Sequence, residues 1–430
     1  MIGFAGLSHL GVVSSAAAAA KGFDVAGYDA DAALCQALSA GRPPVAEPGL
    51  PELLATVRPR TCYTADSSIL SACDVVYISV DVPTDAANRS DSAPVELLLR
   101  ETARVAKPGA TLVVLSQVPP GFSRSQQAGI EGYASKGLRL YYQVETLVFG
   151  IAVQRALEPE RFMVGCADPD ATLPAPLTTF LEAFGCPILP MRYESAELCK
   201  ISINMFLVSS VSTSNMLAEV CEAVGAEWRE IAPALRLDRR IGPHAYLTPG
   251  LGIGGGNLTR DLATIAALST TYGTDAQLVS TWMANSDYRR DWALRLLQRR
   301  TLSARPDPLV AVWGMAYKEH TQSVKNSPGI ALLSTLAGAG VRTRAYDPGA
   351  AITADDAARY GVVASALDAC EGADAIAVMT PWPAFGDIDL AAARQRMRGN
   401  QFIDPFGRVE AASATAAGFS YARLGRGRAA

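Results

Sequence analysis

The chain opens on a unit that leaves few folds available to it. Ile2-Gly3-Phe4-Ala5 is a short apolar run, Gly6-Leu7-Ser8-His9-Leu10-Gly11 a turn of small residues, and an Ala-rich helical stretch follows. Val25-Ala26-Gly27-Tyr28-Asp29 supplies a second apolar run that ends in an acid. Strand, tight turn, helix and strand make a βαβ unit, whose strands run parallel beneath covering helices. Small residues in such a turn let backbone N–H groups and a helix N-terminus approach a pyrophosphate, while the acid after the second strand takes ribose hydroxyls. Gly6 and Gly11 keep the outer positions of that pattern, and Ser8 adds a side chain where the phosphates come closest. A plain strand-to-helix turn needs the same small residues, and Asp29 is what separates the two. An acid there, in place of an arginine, selects NAD over NADP.

The alternation continues through apolar runs at Val75 to Val80, Thr111 to Leu115, Leu138 to Gln143 and Phe162 to Gly165, which predicts a parallel sheet covered on both faces. From Glu194 to Gly225 no Pro or Gly interrupts the chain until the last residue, so one long helix is expected there, a spine between domains. After a Gly-rich loop at Pro249 to Gly256, a second alternation begins at Leu309 and continues at Val341 to Tyr346 and Ala375 to Met379. At 430 residues the chain exceeds what one core normally supports. The expected class is α/β: two Rossmann-like doubly wound domains joined by a long central helix and a helical dimerisation domain, divided at 1–190, 191–300 and 301–430.

Composition narrows the function. Hydrophobic residues make up 49% and charged residues 19%, the balance of a well-buried globular chain. With 38 Lys+Arg against 42 Asp+Glu, neither a nucleic-acid surface nor an anionic-membrane surface is expected. The 8 cysteines form no C-x-x-C pair and have no His at metal spacing, so they read as reduced, mostly buried thiols of a cytoplasmic protein with no metal site. His9 reads as a bystander in the turn, and His244 and His320 as loop residues. No signal peptide is read at the N-terminus, and the Ala-rich stretch Ser14 to Ala20 is too short to span a bilayer.

A series of further motifs runs along the chain in a fixed order. Ala46-Glu47-Pro48-Gly49-Leu50 follows the second strand, and Val80-Asp81-Val82-Pro83-Thr84 and Ser116-Gln117-Val118-Pro119-Pro120-Gly121 follow later ones. Val144-Glu145-Thr146-Leu147 precedes Glu158-Pro159-Glu160-Arg161, and the long helix carries Glu197-Leu198-Cys199-Lys200 and Asn204-Met205-Phe206. Arg240-Ile241-Gly242 leads to Pro249-Gly250-Leu251-Gly252-Ile253-Gly254-Gly255-Gly256-Asn257-Leu258-Thr259-Arg260-Asp261. Gly314-Met315-Ala316-Tyr317-Lys318, Val324-Lys325-Asn326-Ser327-Pro328 and Tyr346-Asp347-Pro348 open the last part, and Asp404-Pro405-Phe406-Gly407-Arg408 comes late in it. Together these resemble the UDP-glucose/GDP-mannose dehydrogenases, the nucleotide-sugar 6-dehydrogenases, over nearly the entire chain. The family's Gly-rich loop reads G-F-G-G-S-C-F-P-K-D, so its cysteine stands at Asn257. Val82 and Gln117 replace threonines of the family's V-x-T-P-T and S-T-V-P-P-G loops, and Lys325 replaces an arginine.

What the resemblance implies is oxidation of a primary alcohol at C6 of a nucleotide-activated hexose, with UDP the expected nucleotide and NAD the cofactor. In that scheme Lys200 stabilises an oxyanion, Asp261 orients a proton-accepting water, Asn204 holds the reacting oxygen, and Glu145 activates the hydrolytic water. Gly6, Ser8, Gly11, Asp29, Pro83, Gln117 and Lys325 fall at cofactor positions. Glu145, Lys200, Asn204, Arg240, Gly254, Tyr317, Lys318 and Arg408 fall at substrate positions, with Arg240 reaching across a homodimer built on the central helical domain. The family's second oxidation needs a thiolate to add to the aldehyde, and a carboxamide at Asn257 is not nucleophilic. Oxidation is therefore expected to stop at the aldehyde, or to go further only slowly through its hydrate. Two alternatives stay open: a redox-neutral, epimerase-like use of NAD, and a binding protein without turnover, the latter favoured by the joint departure at Ser8, Val82, Gln117 and Asn257.

Overall fold

The computed structural model describes residues 1–85, 88–130 and 133–427. It divides into two units, Met1–Ile203 and Asn204–Ala430. In the first, β1 (Ile2–Ala5) lies between β2 (Val25–Tyr28) and β4 (Val75–Ile78), parallel to both, with Ile2 opposite Val25 and Val75. The sheet has 8 strands in the order β3-β2-β1-β4-β5-β6-β7-β8. The added strands are β3 (Thr61–Thr64), β5 (Thr111–Val114), β6 (Arg139–Gln143), β7 (Phe162–Cys166) and β8 (Ile188–Arg192). Side chains alternate between its faces, as the two-residue strand period requires. Phe4, Val75 and Tyr77 enter one core with Phe180, and Ala5, Val76 and Ile78 enter the other with Leu99.

The doubly wound class stands as expected, with one correction to the sheet. β7 runs antiparallel to β6, pairing Tyr142 with Gly165 and Gln143 with Val164. Parallel neighbours need a crossover long enough to recross the sheet. The 144–161 connection holds only the short helix Ala152–Leu157, so it turns back at the same edge. Glu145 directly follows β6, so it lies on the same carboxyl edge of the sheet as the ends of β1 and β4, where the strand order switches direction and where ligands of this fold bind. Sequence reading missed β3, which holds two threonines and no apolar run, and β8, whose Ile188-Leu189 run is broken by Pro190 and none of whose five residues is buried.

In the second unit a 5-stranded parallel sheet has the order β10-β9-β11-β12-β13. Its strands are β9 (Leu309–Trp313), β10 (Arg342–Tyr346), β11 (Ala375–Val378), β12 (Gln401–Ile403) and β13 (Ser420–Ala422). Val310 and Val312 face one core, and Leu309, Ala311 and Trp313 the other. Helices Trp228–Leu237, Asn257–Tyr272, Gln277–Arg290 and Trp292–Arg300 fill the sequence ahead of it. Arg289, fully buried, sits 3.2 Å from Glu219 and 3.6 Å from Glu222, and Glu222 also accepts the Trp292 indole N–H at 2.9 Å. A buried guanidinium is tolerated only when paired in this way.

The long helix runs Tyr193–Val224, one residue from the span expected. Among the described residues it is the one helix long and apolar enough to cross a bilayer, by length and composition alone. It also carries Glu197, Asn204 and Ser214, all buried, which marks it as a helix packed in protein. All eight cysteines are free thiols; five are buried, Cys186 and Cys199 are half-buried, and Cys62 is exposed.

Candidate active site

Two glycines close the first turn because nothing larger fits. Gly6 has φ +90°, and a methyl there would stand 2.8 Å from the Val80 nitrogen; one at Gly11 would stand 1.9 Å from the Gly6 carbonyl oxygen. Ser8 does not crowd the turn as its added side chain suggested, since its hydroxyl donates to the Ser79 carbonyl at 3.0 Å. The helix His9–Ala20 therefore begins without a side-chain cap. Uncapped N–H groups at a positive helix end suit a pyrophosphate. Asp29, half-buried at the end of β2, accepts the Leu7 N–H at 2.8 Å and the Asp31 N–H at 3.0 Å. These residues fit a dinucleotide.

Pro83 and Gln117 lie on neighbouring loops. The Ser116 hydroxyl joins them, donating to the Val80 carbonyl at 2.6 Å, and Gln117 beside it is half-buried. The Ser116–Gly121 loop is held from the long helix. Glu197, with no exposed surface, accepts the N–H of Gly121 at 2.6 Å and of Ser123 at 2.8 Å. Burial pushes its carboxyl above the ordinary value, and the two N–H groups offset only part of that rise. Three residues further along the same helix, Lys200 Nζ lies 3.6 Å from Glu145 Oε2, both side chains largely shielded. Behind Glu145 is a cavity of about 60 Å³ lined by Phe4, Tyr77, Gln143, Arg155 and Phe180.

In the second unit, Asn204 donates its amide to Asp261 Oδ2, and Arg260 Nε sits 3.2 Å from Oδ1. Asp261 is fully buried, so its charge is met by these groups rather than by water. The Gly-rich loop ahead of it is stitched down along its length. Gly250 donates to Asn215 at 2.8 Å, Ile253 to the Ser286 hydroxyl at 2.7 Å, and the Gly255 carbonyl accepts from Asn326 at 2.8 Å. Gly255 has φ +76° and lies so near Tyr317 that a methyl would stand 2.7 Å from the ring. Tyr317 and Lys325 thus lie against the loop at Gly254 and Gly256, and exposed Asn257 starts the helix Asn257–Tyr272 at its end. Lys318 Nζ lies 5.8 Å from the Tyr317 ring centre.

Arg240 stands apart from that cluster, 89% exposed and bidentate on Asp238. Arg408 is also exposed, on a turn held by buried Asp404, which accepts the N–H of Gly407 and Val409, each at 2.9 Å. Burial pushes the Asp404 carboxyl up from its ordinary value. Among the described residues no group of three His, Cys, Asp or Glu is placed to hold a metal ion.

Residues 1–180 match the NAD binding domain of the UDP-glucose/GDP-mannose dehydrogenase family, 194–287 its central domain, and 311–410 its UDP binding domain. The chain belongs to this family. It is similar to a UDP-glucose 6-dehydrogenase of Haloferax volcanii, 30% identical over 415 residues, which cover 91% of this chain and 94% of that one. Another of that name from Pseudomonas aeruginosa is 29% identical over 443 residues, covering 99% and 97%. The structure of a UDP-glucose dehydrogenase from Pyrobaculum islandicum superposes with a TM-score of 0.84 at 26% identity, covering 98% of this chain and 96% of that one. Membership brings NAD as cofactor and a nucleotide sugar as the class of substrate.

Four residues near these family positions were given no role in the sequence reading. Glu47 and Glu197 lie inside quoted motifs, Arg260 directly precedes Asp261, and Arg155 holds the Thr146 carbonyl at 2.7 Å. For Glu47, Glu197 and Arg260 motif membership was the available signal, whereas Arg155 lies between two quoted motifs and carried none; the bonding partners of all four were not visible in sequence.

Proposed function

We propose that this dehydrogenase oxidises the C6 alcohol of a UDP-hexose and releases the aldehyde. The observation that carries the proposal is Asn257, exposed at the first position of its helix, where the motif resemblance puts the family's cysteine. When bound, NAD supplies the acceptor for the hydride that leaves C6. The Lys200 ammonium stabilises the alkoxide that forms as the hydroxyl proton departs, and Glu145 keeps that ammonium in place. Asn204 fixes the Asp261 carboxylate, which orients the water that takes the proton.

The aldehyde carbon is trigonal, and a second hydride can leave only after a nucleophile has made it tetrahedral. The Asn257 carboxamide does not add to it, which leaves only reversible addition of water and a slow oxidation of the hydrate. Burial pushes the Cys73 thiol up to about 11 and the Cys370 thiol up to about 12, so these two remain protonated near neutral pH. The test is the count of NADH formed per UDP-hexose consumed, with hydroxylamine trapping the product. One equivalent and a trapped aldehyde are expected, and Asn257→Cys should raise the count to two with uronate as product. Two equivalents at efficient turnover from the unsubstituted protein would refute the truncated reaction.

The same reading includes a homodimer through the central helices. Phe206, Met216, Leu217, Val220 and Val224 are all exposed on the long helix. At 100° per residue they fall within about 100° of arc, one apolar face without cover. Sedimentation should give a dimer for the native chain and a monomer for Phe206→Glu with Val224→Asp; a native monomer would rule the dimer out.

A further inference from the structure

Glu47 has a side chain with no exposed surface, and it joins three separate segments of the first unit. Its Oε2 faces His9 Nε2 at 3.2 Å and accepts the Gly150 N–H at 3.1 Å, while Oε1 accepts the Ala152 N–H at 2.8 Å. A carboxylate accepts and does not donate, and this one already takes two backbone N–H groups, so His9 Nε2 is the donor. The His9 ring is not the bystander expected. It is buried and stacked on Phe149, 4.2 Å between ring centres and 19° from parallel.

The network reaches the reacting end of the sheet. Ala152 begins the helix Ala152–Leu157, which has no side-chain cap of its own, so Glu47 serves as its distant cap. Arg155 on that helix donates to the Thr146 carbonyl at 2.7 Å, next to Glu145, whose carboxylate lies 3.6 Å from Lys200. At the other end, His9 is the first residue of the helix whose N-terminus suits the pyrophosphate.

We propose that His9 and Glu47 are positioning residues that couple filling of the dinucleotide turn to the placement of Glu145. The proposal rests on NAD binding at that turn and on Glu145 acting at the sugar. An anion at the start of helix His9–Ala20 fixes its first turn and, with it, the His9 ring. The fixed ring holds Glu47 and Phe149, Glu47 holds the start of helix Ala152–Leu157, and Arg155 holds the backbone beside Glu145. A plain packing role for the same pair would stabilise the unit without making the 146–157 segment respond to cofactor.

Hydrogen exchange of peptides covering 146–157, with and without saturating NAD, separates the two. NAD should slow exchange there by about 10-fold in the native chain and in His9→Gln, which keeps a donor toward Glu47. In His9→Phe, which keeps a stacked ring but no donor, and in Glu47→Gln, the slowing should fall below about 2-fold while β5 exchange stays as in the native chain. Sugar oxidation should follow, with kcat lower by about 10-fold in His9→Phe and restored in His9→Gln. Undiminished slowing in His9→Phe overturns the coupling. Loss in His9→Gln as well overturns the donor role. A native chain that binds no NAD overturns the dinucleotide reading together with the coupling, whereas intact coupling without sugar oxidation overturns only the catalytic proposal.

Discussion

Glu197→Ala removes the anchor of the Ser116–Gly121 loop, and its cost can be worked from two hydrogen bonds. The carboxylate has no exposed surface and accepts from Gly121 at 2.6 Å and Ser123 at 2.8 Å. Alanine leaves the buried Ser123 N–H and the part-buried Gly121 N–H without an acceptor, and at about 1–3 kcal/mol for a fully buried orphan the loss lies between one and two such costs, about 1–6 kcal/mol. That is a large part of the ~5–15 kcal/mol holding a typical domain. Glu197→Gln keeps one acceptor oxygen and should lose about half as much. All five tryptophans lie beyond residue 227, so urea unfolding of this unit is followed by far-UV circular dichroism rather than fluorescence. Calorimetric titration with NAD should show weaker binding, because Gln117 sits on the released loop.

The pH dependence has a definite sign. Burial raises the folded carboxyl of Glu197 above its ordinary value of 4.5. A group raised on folding contributes stability that is fully present below the unfolded value and is lost as pH rises through the folded one. The deficit of Glu197→Gln against the native chain should therefore shrink as pH climbs from about 4.5 toward neutrality. A Glu197→Ala loss under about 1 kcal/mol, or a Gln deficit that grows with pH, would refute the anchoring argument.

Lys200→Ala should lower kcat for the first oxidation by about 10²–10³-fold with NAD affinity kept, read by NADH formation and calorimetry. A loss below about 10-fold would remove Lys200 from the oxyanion role. Gly255→Ala meets Tyr317 at 2.7 Å and must also hold φ +76°, whereas Gly254→Ala meets nothing nearer than 3.5 Å and has no such φ. The first should cost about 2–3 kcal/mol and the second under about 1 kcal/mol, seen as separate melting temperatures; equal melting would count against the close packing of loop and ring.

The sequence by itself determined what depends on neighbours a few residues away. Gly6 and Gly11 announced the turn because no Cβ fits there, Asp29 announced the end of β2, and an unbroken run without Pro or Gly announced the helix Tyr193–Val224. Asn257 was legible in the same way, as one residue in a long string of small ones. Tertiary structure decided the rest. It turned β7 against β6, and it placed β3, β12 and β13 where backbone pairing, not a long apolar run, makes the strand. It also chose the partners of the buried acids. Glu47 meets His9 and Ala152 at separations of 38 and 105 residues, and Glu197 meets Gly121 76 residues away. Periodicity and turn chemistry record only the local backbone, whereas a buried carboxylate is satisfied by whichever N–H groups the packed chain delivers to it.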